Sequence, residues 1–381
     1  MKITIELSKL VDLIDIATRF VSKNSTLPIL QNLYLKASID CLIIRATDME
    51  KYVDIEIPCD IKLEGAITVN ARMFLDLLRT IEEKEVELSV NPQTNQMLIR
   101  SAEDEFEING IPANEYVALP ETPQVNSVAL ETPTFINGVE RVEYTITEKN
   151  FSPVLTGVLI KTKNEESWGK KVVFVGTDSF RIAEFKTPSA IETDFSLIIP
   201  KTAINDIKAI TKYAMDKESP DLKMKYSENL IAFEYEIQNI KIIATSLLIQ
   251  GNFPDYEREE IMPTRFNTTI LVDKTLCEKA IKKIWILTKD INNFIQIETQ
   301  SDGVVISSGK TDKGAGKTKI NAIVEGEQMS FAVNGRYITD FIRAMDGEEL
   351  VFSLLDHQKP MIITDKGNDV YKYVVRPLIS N

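Results

Sequence analysis

Few of the 381 residues could make or break a covalent bond. His357 is the only histidine, so a histidine-rich metal site is impossible, and a Ser-His-Asp or Cys-His mechanism could use only this residue. It sits in LLDHQKPMII, which reads as a hairpin turn carrying a solvated histidine. Cys41, Cys59 and Cys277 are odd in number, scattered and without CxxC spacing, as suits buried thiols in a reducing compartment. The acidic pairs Glu82-Glu83 and Glu165-Glu166 fall in polar loops and read as solvated, and Asp290, Asp302 and Asp312 lack metal-ligand spacing. Thr311-Asp-Lys-Gly-Ala-Gly-Lys-Thr318 nearly matches a phosphate-binding loop, but Thr311 stands where glycine is required. The chain continues as KINAIVEG, a strand and not the helix that chemistry needs, so a hairpin loop is expected. No catalytic residue, metal or cofactor is assigned.

The chemistry left to the chain is recognition by charge. A net charge of −13 argues, taken globally, against a nucleic-acid partner. Its distribution argues otherwise. Six segments have helical character, 8–23, 71–81, 131–146, 201–215, 273–289 and 334–346, and together they are net positive, which leaves the rest of the chain more acidic than the total. Helices pooled on one side would make that side basic. Lys279, Lys282 and Lys283 fall near one another around their helix, and Arg72 with Arg336 and Arg79 with Arg343 recur at matching positions. The contact expected of them is sequence-neutral and made to phosphate, not by base stacking. A merely solvated basic face is the other meaning of such a run.

What must position these groups is a repeat. ITVNARMFLDLLRTI from Ile67, LIIPKTAINDIKAIT from Leu197 and FAVNGRYITDFIRAM from Phe331 align on Asn70, Pro200 and Asn334, with an aspartate six places on in each copy, Asp76, Asp206 and Asp340. Apolar residues fall at helical spacing in all three, and Asn or Pro starts each helix. Thr47-Asp48 recurs as Thr177-Asp178, Pro28–Leu33 as Pro153–Val158, and Pro112–Tyr116 as Pro254–Tyr256. Spacings of 130 and 134 residues make the unit a whole domain. Domains are expected over residues 1–123, 124–259 and 260–381, joined by the proline-bearing stretches 112–123 and GNFPDYEREEIMP.

Each third reads as two helices and seven or eight short turn-punctuated strands, an α+β composition. Ser8 is expected to cap the first helix. Two helices cannot cover both faces of such a sheet, so a curved array of repeats that pools its helices on one face of antiparallel sheets is the economical arrangement. Hydrophobic content of 44% suits an ordinary soluble protein, and no apolar run approaches the roughly 20 residues that span a bilayer. The opening MKITIELSKLV reads as a strand and then a helix, not a secretory signal, and a cytoplasmic location is expected.

With three repeats in hand, specific words stand out: TLPILQNL (26–33), GTDSFRIA (176–183), IPKTAI (199–204), GNFPDY (251–256), VNGRYITD (333–340) and YVVRP (373–377). Collinear over essentially the whole chain, they resemble the bacterial DNA polymerase III beta subunit family, the sliding clamps. The resemblance implies the DNA clamp fold, three clamp domains per chain closing as a head-to-tail homodimeric ring with helices lining the hole. It implies a non-enzymatic role: encircling duplex DNA without sequence preference and tethering the replicative polymerase, so conferring processivity. The polymerase III alpha subunit, the clamp loader, and repair polymerases and other proteins would dock through short peptide motifs.

By matched position, the family's peptide pocket would comprise Leu155, Thr177, Ser179, Phe180, Arg181, Ile182, Pro254, Arg258, Asn334, Tyr337, Val374, Arg376, Pro377 and Leu378. On residues alone Leu155, Ile182, Tyr337 and Pro377 would be read as core or hairpin positions. Arg376 departs from the family by standing where an apolar residue is common. The DNA-facing set would be Lys23, Asn24, Arg72, Arg79, Lys149, Lys201, Lys208, Lys279, Lys283 and Arg336. Asn24 occupies a place where arginine can occur, and Pro153 with Val154 replace a tyrosine pair, with Lys23 and Lys149 as nearby substitutes. Two other readings compete: a three-domain β-rich enzyme acting on nucleic acid or another polyanion, which would need clustered carboxylates or a metal, and a repeat scaffold that binds only proteins.

Overall fold

A computed structural model describes residues 1–147, 152–165, 169–218 and 221–378. Among them lie six α-helices: α1 (Leu7–Thr18), α2 (Ala71–Leu78), α3 (Thr132–Glu140), α4 (Lys201–Asp216), α5 (Lys274–Thr288) and α6 (Gly335–Ala344). All six expected helices form, several shorter than expected. The 8–23 segment stops at Thr18, and the 131–146 segment breaks after Glu140 into a 3-10 turn at Glu143–Thr145. Ser8 does not cap α1: the helix begins one residue earlier, and the Ser8 hydroxyl donates to Glu6 Oε1 at 2.8 Å. The repeated asparagines do cap, Asn70 Oδ1 accepting from Met73 N and Asn334 Oδ1 from Arg336 N, both at 3.0 Å.

The chain divides into two compact units, Met1–Ile136 with Thr202–Ile249, and Asn137–Lys201 with Gln250–Asn381. The middle sequence repeat therefore contributes to both. In the first unit one antiparallel sheet runs, neighbour to neighbour, through Asn126–Glu131, Asp221–Tyr226, Leu230–Ile237, Ile240–Leu247, Lys51–Pro58, Cys41–Thr47, Asn32–Ser38, Gly65–Asn70, Asp104–Ile111, Gln96–Ser101, Glu85–Asn91, Lys2–Glu6 and Asp60–Leu63. Strands of the first and second repeats thus share a sheet, joined where Lys51–Pro58 pairs with Ile240–Leu247. Helices α1 and α2 pack on one another. Leu10, Leu13, Ile14 and Ala17 of α1 and Phe74, Leu75 and Leu78 of α2 are buried, each large apolar side chain contributing about 1.5–3 kcal/mol.

The second unit holds two sheets. One runs Ser196–Pro200, Gly157–Glu165, Gly169–Thr177, Arg181–Pro188, Asn368–Val375, Met361–Asp365, Glu349–Leu354, Thr268–Asp273, Ile323–Gly326. The other runs Lys317–Ile320, Gly303–Ser307, Phe294–Gln300, Ser330–Asn334. Here strands of the second and third repeats share a sheet through the pairing of Arg181–Pro188 with Asn368–Val375. Helix α6 is anchored by Phe341, whose ring stacks on Tyr373 with centroids 5.0 Å apart and planes 8° from parallel. Thr311–Thr318 is a turn running into the strand from Lys317, without the helix a phosphate-binding loop requires. No helix among the described residues is long and apolar enough to cross a membrane.

Candidate peptide-binding slot

The site begins with a turn that the sequence specifies twice. Strand Gly169–Thr177 reverses through Asp178–Arg181: Thr177 Oγ1 donates to Arg181 O at 2.7 Å and accepts from Ser179 N at 3.2 Å. Asp178 Oδ1 accepts from the amides of Phe180 at 3.0 Å and Arg181 at 3.1 Å. These side-chain acceptors replace strand partners that a tight turn cannot supply, and they hold Ser179 at a φ of +78°. In the first unit Thr47 and Asp48 make the same bonds around Met49, at φ +80°. The turn throws Phe180 outward, 58% exposed, and turns Arg181 inward, 8% exposed.

Arg181 is the post on which the site is built. Its Nε donates to Asp178 Oδ2 at 3.0 Å, Nη1 to Asp340 Oδ2 at 2.7 Å, and Nη2 to Tyr144 O at 2.8 Å. The guanidinium also lies 4.4 Å over the Tyr337 ring. Burial alone would lower its pKa, but Tyr373, Asp340 and Asp178 more than compensate and raise it, so the group stays charged.

Beside this turn opens a cavity of about 610 Å³, in the range of ligand-binding clefts. Leu155, Thr177, Ser179, Phe180, Arg181, Ile182, Pro254, Val374, Arg376 and Pro377 line it, ten residues that the sequence alone leaves 222 positions apart at their extremes. Leu155, Ile182, Val374 and Pro377 are buried in its wall, while Arg376 is exposed at the rim, its backbone amide bonded to Phe180 O at 3.0 Å. Arg376 therefore adds charge at the mouth and leaves the apolar floor intact.

Four expected residues lie elsewhere. Tyr337 sits under Arg181, its carbonyl accepting from the Tyr373 hydroxyl at 3.1 Å, so it supports the turn without lining the cavity. Asn334 is spent capping α6. Arg258 is exposed and paired with Asp255 at 2.8 Å, and Leu378 N donates to Ala332 O at 2.7 Å. Conversely Phe253, Tyr256, Glu260, Ile261, Gln358, Lys359 and Pro360 complete the lining. Phe253 and Tyr256 belong to the GNFPDY word; the 358–360 stretch was legible as a hairpin turn but carried no signal for binding. Tyr256 is buried with its hydroxyl donating to Glu184 Oε2 at 2.7 Å; burial, then the adjacent carboxylates of Glu184 and Glu257, push its pKa far up. Gly251 permits the approach to this corner: its φ is +129°, and a Cβ there would meet Val154 Cγ1 at 2.9 Å.

The expected DNA-facing residues divide between the two units. In the first, Lys23, Asn24, Arg72 and Arg79 are exposed and Lys208 is half-buried; Arg79 is bonded to Asp15 at 2.6 Å. In the second, Lys279, Lys283 and Arg336 are exposed, whereas Lys201 is tied to Ile146 O at 2.7 Å. Lys282 pairs along its helix with Glu278 at 2.7 Å. Lys149, like Glu166, lies outside the described residues.

Nothing in the slot pairs a nucleophile with a base. His357 is exposed on the neighbouring turn, 3.2 Å from Gln358 Nε2. Of the cysteines only Cys277 is fully buried, Cys41 and Cys59 being half-buried, and burial pushes Cys59 up to about 11 and Cys277 up to about 12. Among the described residues no group of three or more His, Cys, Asp or Glu side chains could hold a metal ion. An apolar floor with a polar rim that carries Arg376, Lys359 and Glu260 is a surface for anchoring one or two large side chains of a short segment.

Models of the DNA polymerase III beta subunit match residues 1–120 with its N-terminal domain, 129–255 with its central domain and 259–379 with its C-terminal domain. The chain belongs to the DNA polymerase III beta subunit family. A relative from Staphylococcus aureus named beta sliding clamp is 26% identical over 389 residues, covering 99% of each chain. Among solved structures, the Caulobacter crescentus DNA polymerase sliding clamp superposes with a TM-score of 0.91 at 23% identity, over 100% of both chains. The Pseudomonas aeruginosa sliding clamp, solved bound to griselimycin, does so at 0.90 and 20%, again over 100% of both. The family's fold and its sliding-clamp function in DNA replication are accordingly those of this chain.

Proposed function

We propose that this chain closes with a second copy, head to tail, into a ring around duplex DNA, and that the slot beside Arg181 holds the polymerase III alpha subunit, the clamp loader and repair proteins by short apolar segments. The ring would be built from three domains per chain, 1–123, 124–259 and 260–381. The observation that carries the slot assignment is the convergence of the Thr177–Ile182 turn, Pro254 and Val374–Pro377 on one apolar cavity. A heterologous joint needs two unlike faces, one from each end of the chain. Lysines and arginines on the helices would meet phosphates, a contact that is salt-sensitive and indifferent to sequence and so compatible with sliding. The chain does no chemistry of its own in this reading; ATP belongs to the loader.

Retention on nicked circular DNA, measured by gel filtration after loading with a cognate loader and ATP, tests the ring. Retention lost when the circle is linearised is the expected result. Retention unchanged by linearisation would mean direct binding and would return attention to an enzyme or a static binder.

A further inference from the structure

A smaller cavity of about 220 Å³ lies between α5 and α6, lined by Ile281, Lys282 and Trp285 of the one and Gly335, Arg336 and Arg343 of the other. Trp285 is 40% exposed, whereas an indole is ordinarily well buried. Its N–H donates to Asn293 Oδ1, and the Asn293 carbonyl accepts from Gly335 N at 2.8 Å, so one asparagine pins both the indole edge and the start of α6. With its only donor spent, the ring has its π faces left to offer a ligand. A Cβ on Gly335 would meet Ile281 Cγ2 at 3.2 Å, so the glycine lets the two helices approach where the cavity lies. Arg336 and Arg343 reach Asp340 only at 3.9 and 4.0 Å, and that carboxylate is committed to Arg181 at 2.7 Å. Lys282 is paired with Glu278 at 2.7 Å, a partly exposed bond that exchanges at little cost. The positive end of α6 adds to the cationic field.

The repeat supplies its own controls. Counted from the residue before each first helix, Glu6, Glu131 and Asp273, Trp285 corresponds to Thr18 and Glu143, and Lys282 to Asp15 and Glu140. Counted from Asn70, Pro200 and Asn334, Arg336 corresponds to Arg72 and Thr202, and Arg343 to Arg79 and Ala209. In the first repeat Asp15 takes Arg79 at 2.6 Å and a threonine stands in place of the ring. In the second, two glutamates replace the lysine and the indole, and neither arginine remains. At these positions only the third repeat sets a ring among three cations.

We propose that this pocket stacks one unpaired base of single-stranded DNA on Trp285, with Lys282, Arg336 and Arg343 on the flanking phosphates. A duplex cannot use the ring, because its base faces are buried in the stack and it presents only phosphates and base edges. Smaller than the roughly 300–1,000 Å³ of a drug-sized cleft, the cavity has room for a single ring system. An aromatic platform within a cationic groove is the chemistry of sequence-tolerant single-strand binding. Trp285, three places beyond Lys282, thus adds the stacking that the charge pattern left out. The site does not depend on ring closure, since a short linear strand reaches it from solution.

In a Trp168→Phe chain Trp285 is the only tryptophan, and its emission reports the pocket. A short oligothymidylate should quench that emission, and a blunt duplex at equal phosphate concentration should not. Trp285→Leu should weaken binding of a labelled oligothymidylate, read by anisotropy, about 10-fold, at an unchanged thermal midpoint. Trp285→Phe, which keeps a ring, should retain most of the affinity. The slot also carries an exposed ring beside a cation, Phe180 with Arg376, so Phe180→Ala is the control and should leave the quenching unchanged. The proposal is overturned if the oligothymidylate does not bind, if the duplex quenches as strongly, if Trp285→Leu binds the strand like the wild type, or if Phe180→Ala abolishes the quenching. None of these outcomes bears on retention by nicked circular DNA, whose failure would overturn the ring and leave the pocket standing.

Discussion

Arg181 reaches Asp340 at 2.7 Å across 159 residues of sequence, and Lys51 is bonded to Asp206 in the same manner. Both cations end a Thr-Asp turn in one repeat, and both carboxylates are the aspartate of the following repeat's second helix. The repeated aspartate is thus a fastener between successive repeats. Asp76, the first copy, is exposed and bonded to no cation among the described residues.

Removing Asp340 strips the buried Arg181 of one of its two carboxylate partners, leaving Asp178 as the other. Asp340→Ala should destabilise the protein by about 3 kcal/mol, read as a lower midpoint in urea denaturation, while Asp76→Ala should leave the chain's own stability within about 0.5 kcal/mol. Equal effects of the two substitutions would deny the fastener role.

Phe180 is exposed at the mouth of the slot, so its loss should spare folding. Phe180→Ala is expected to weaken binding of a fluorescent peptide bearing two adjacent large apolar residues by about 1–2 kcal/mol, measured by anisotropy, with an unchanged thermal midpoint. Tyr337→Ala, acting from beneath Arg181, should lower both the affinity and the midpoint.

Arg376 and Lys359 place positive charge on the slot's rim. Arg376→Leu should flatten the salt dependence of binding to a peptide with acidic flanks while preserving affinity for a neutral one, because the apolar floor is untouched. A salt titration of both peptides separates the two effects.

Glu165 accepts from Lys171 at 2.8 Å and Lys186 at 2.7 Å, and these bonds hold its pKa at about 2, below the 4.5 of a free glutamate. A depressed carboxylate contributes stability above its unfolded pKa and loses it as pH falls through the folded value. The excess thermal midpoint of wild type over Glu165→Gln should be full at pH 7, shrink from about pH 4.5 downward and vanish near pH 2. A difference independent of pH would assign the effect to packing.

Lys279 and Lys283 are exposed on α5. If each meets a phosphate, replacing both by alanine should reduce the slope of log K against log salt by about 2 for duplex DNA, equally for all sequences.

The repeats and the six helices were legible because they are local: a capping Asn70 or Asn334 and an i, i+3, i+4 apolar stripe write themselves into adjacent positions, whereas the Thr-Asp pair was legible only as a recurrence and its bonds to backbone within four residues came from the structure. Family words placed ten of the slot's lining residues. Helix ends were less legible, as Ser8 shows, since the donor that a cap serves depends on where the preceding strand ends.

Tertiary structure alone decided which side of a residue is used. Tyr337 and Ile182 both read as core or hairpin positions in sequence, yet the Arg181 guanidinium covers the Tyr337 ring while Ile182 lines the cavity. Gln358, Lys359 and Pro360 have no periodic or motif signal, because a loop joins a site only through where its flanking strands, Glu349–Leu354 and Met361–Asp365, deliver it. Sequence determined the repeated unit and its local bonds; pairing between strands more than a hundred residues apart decided the slot and the joints, because cross-strand partners are set by register and not by neighbours along the chain.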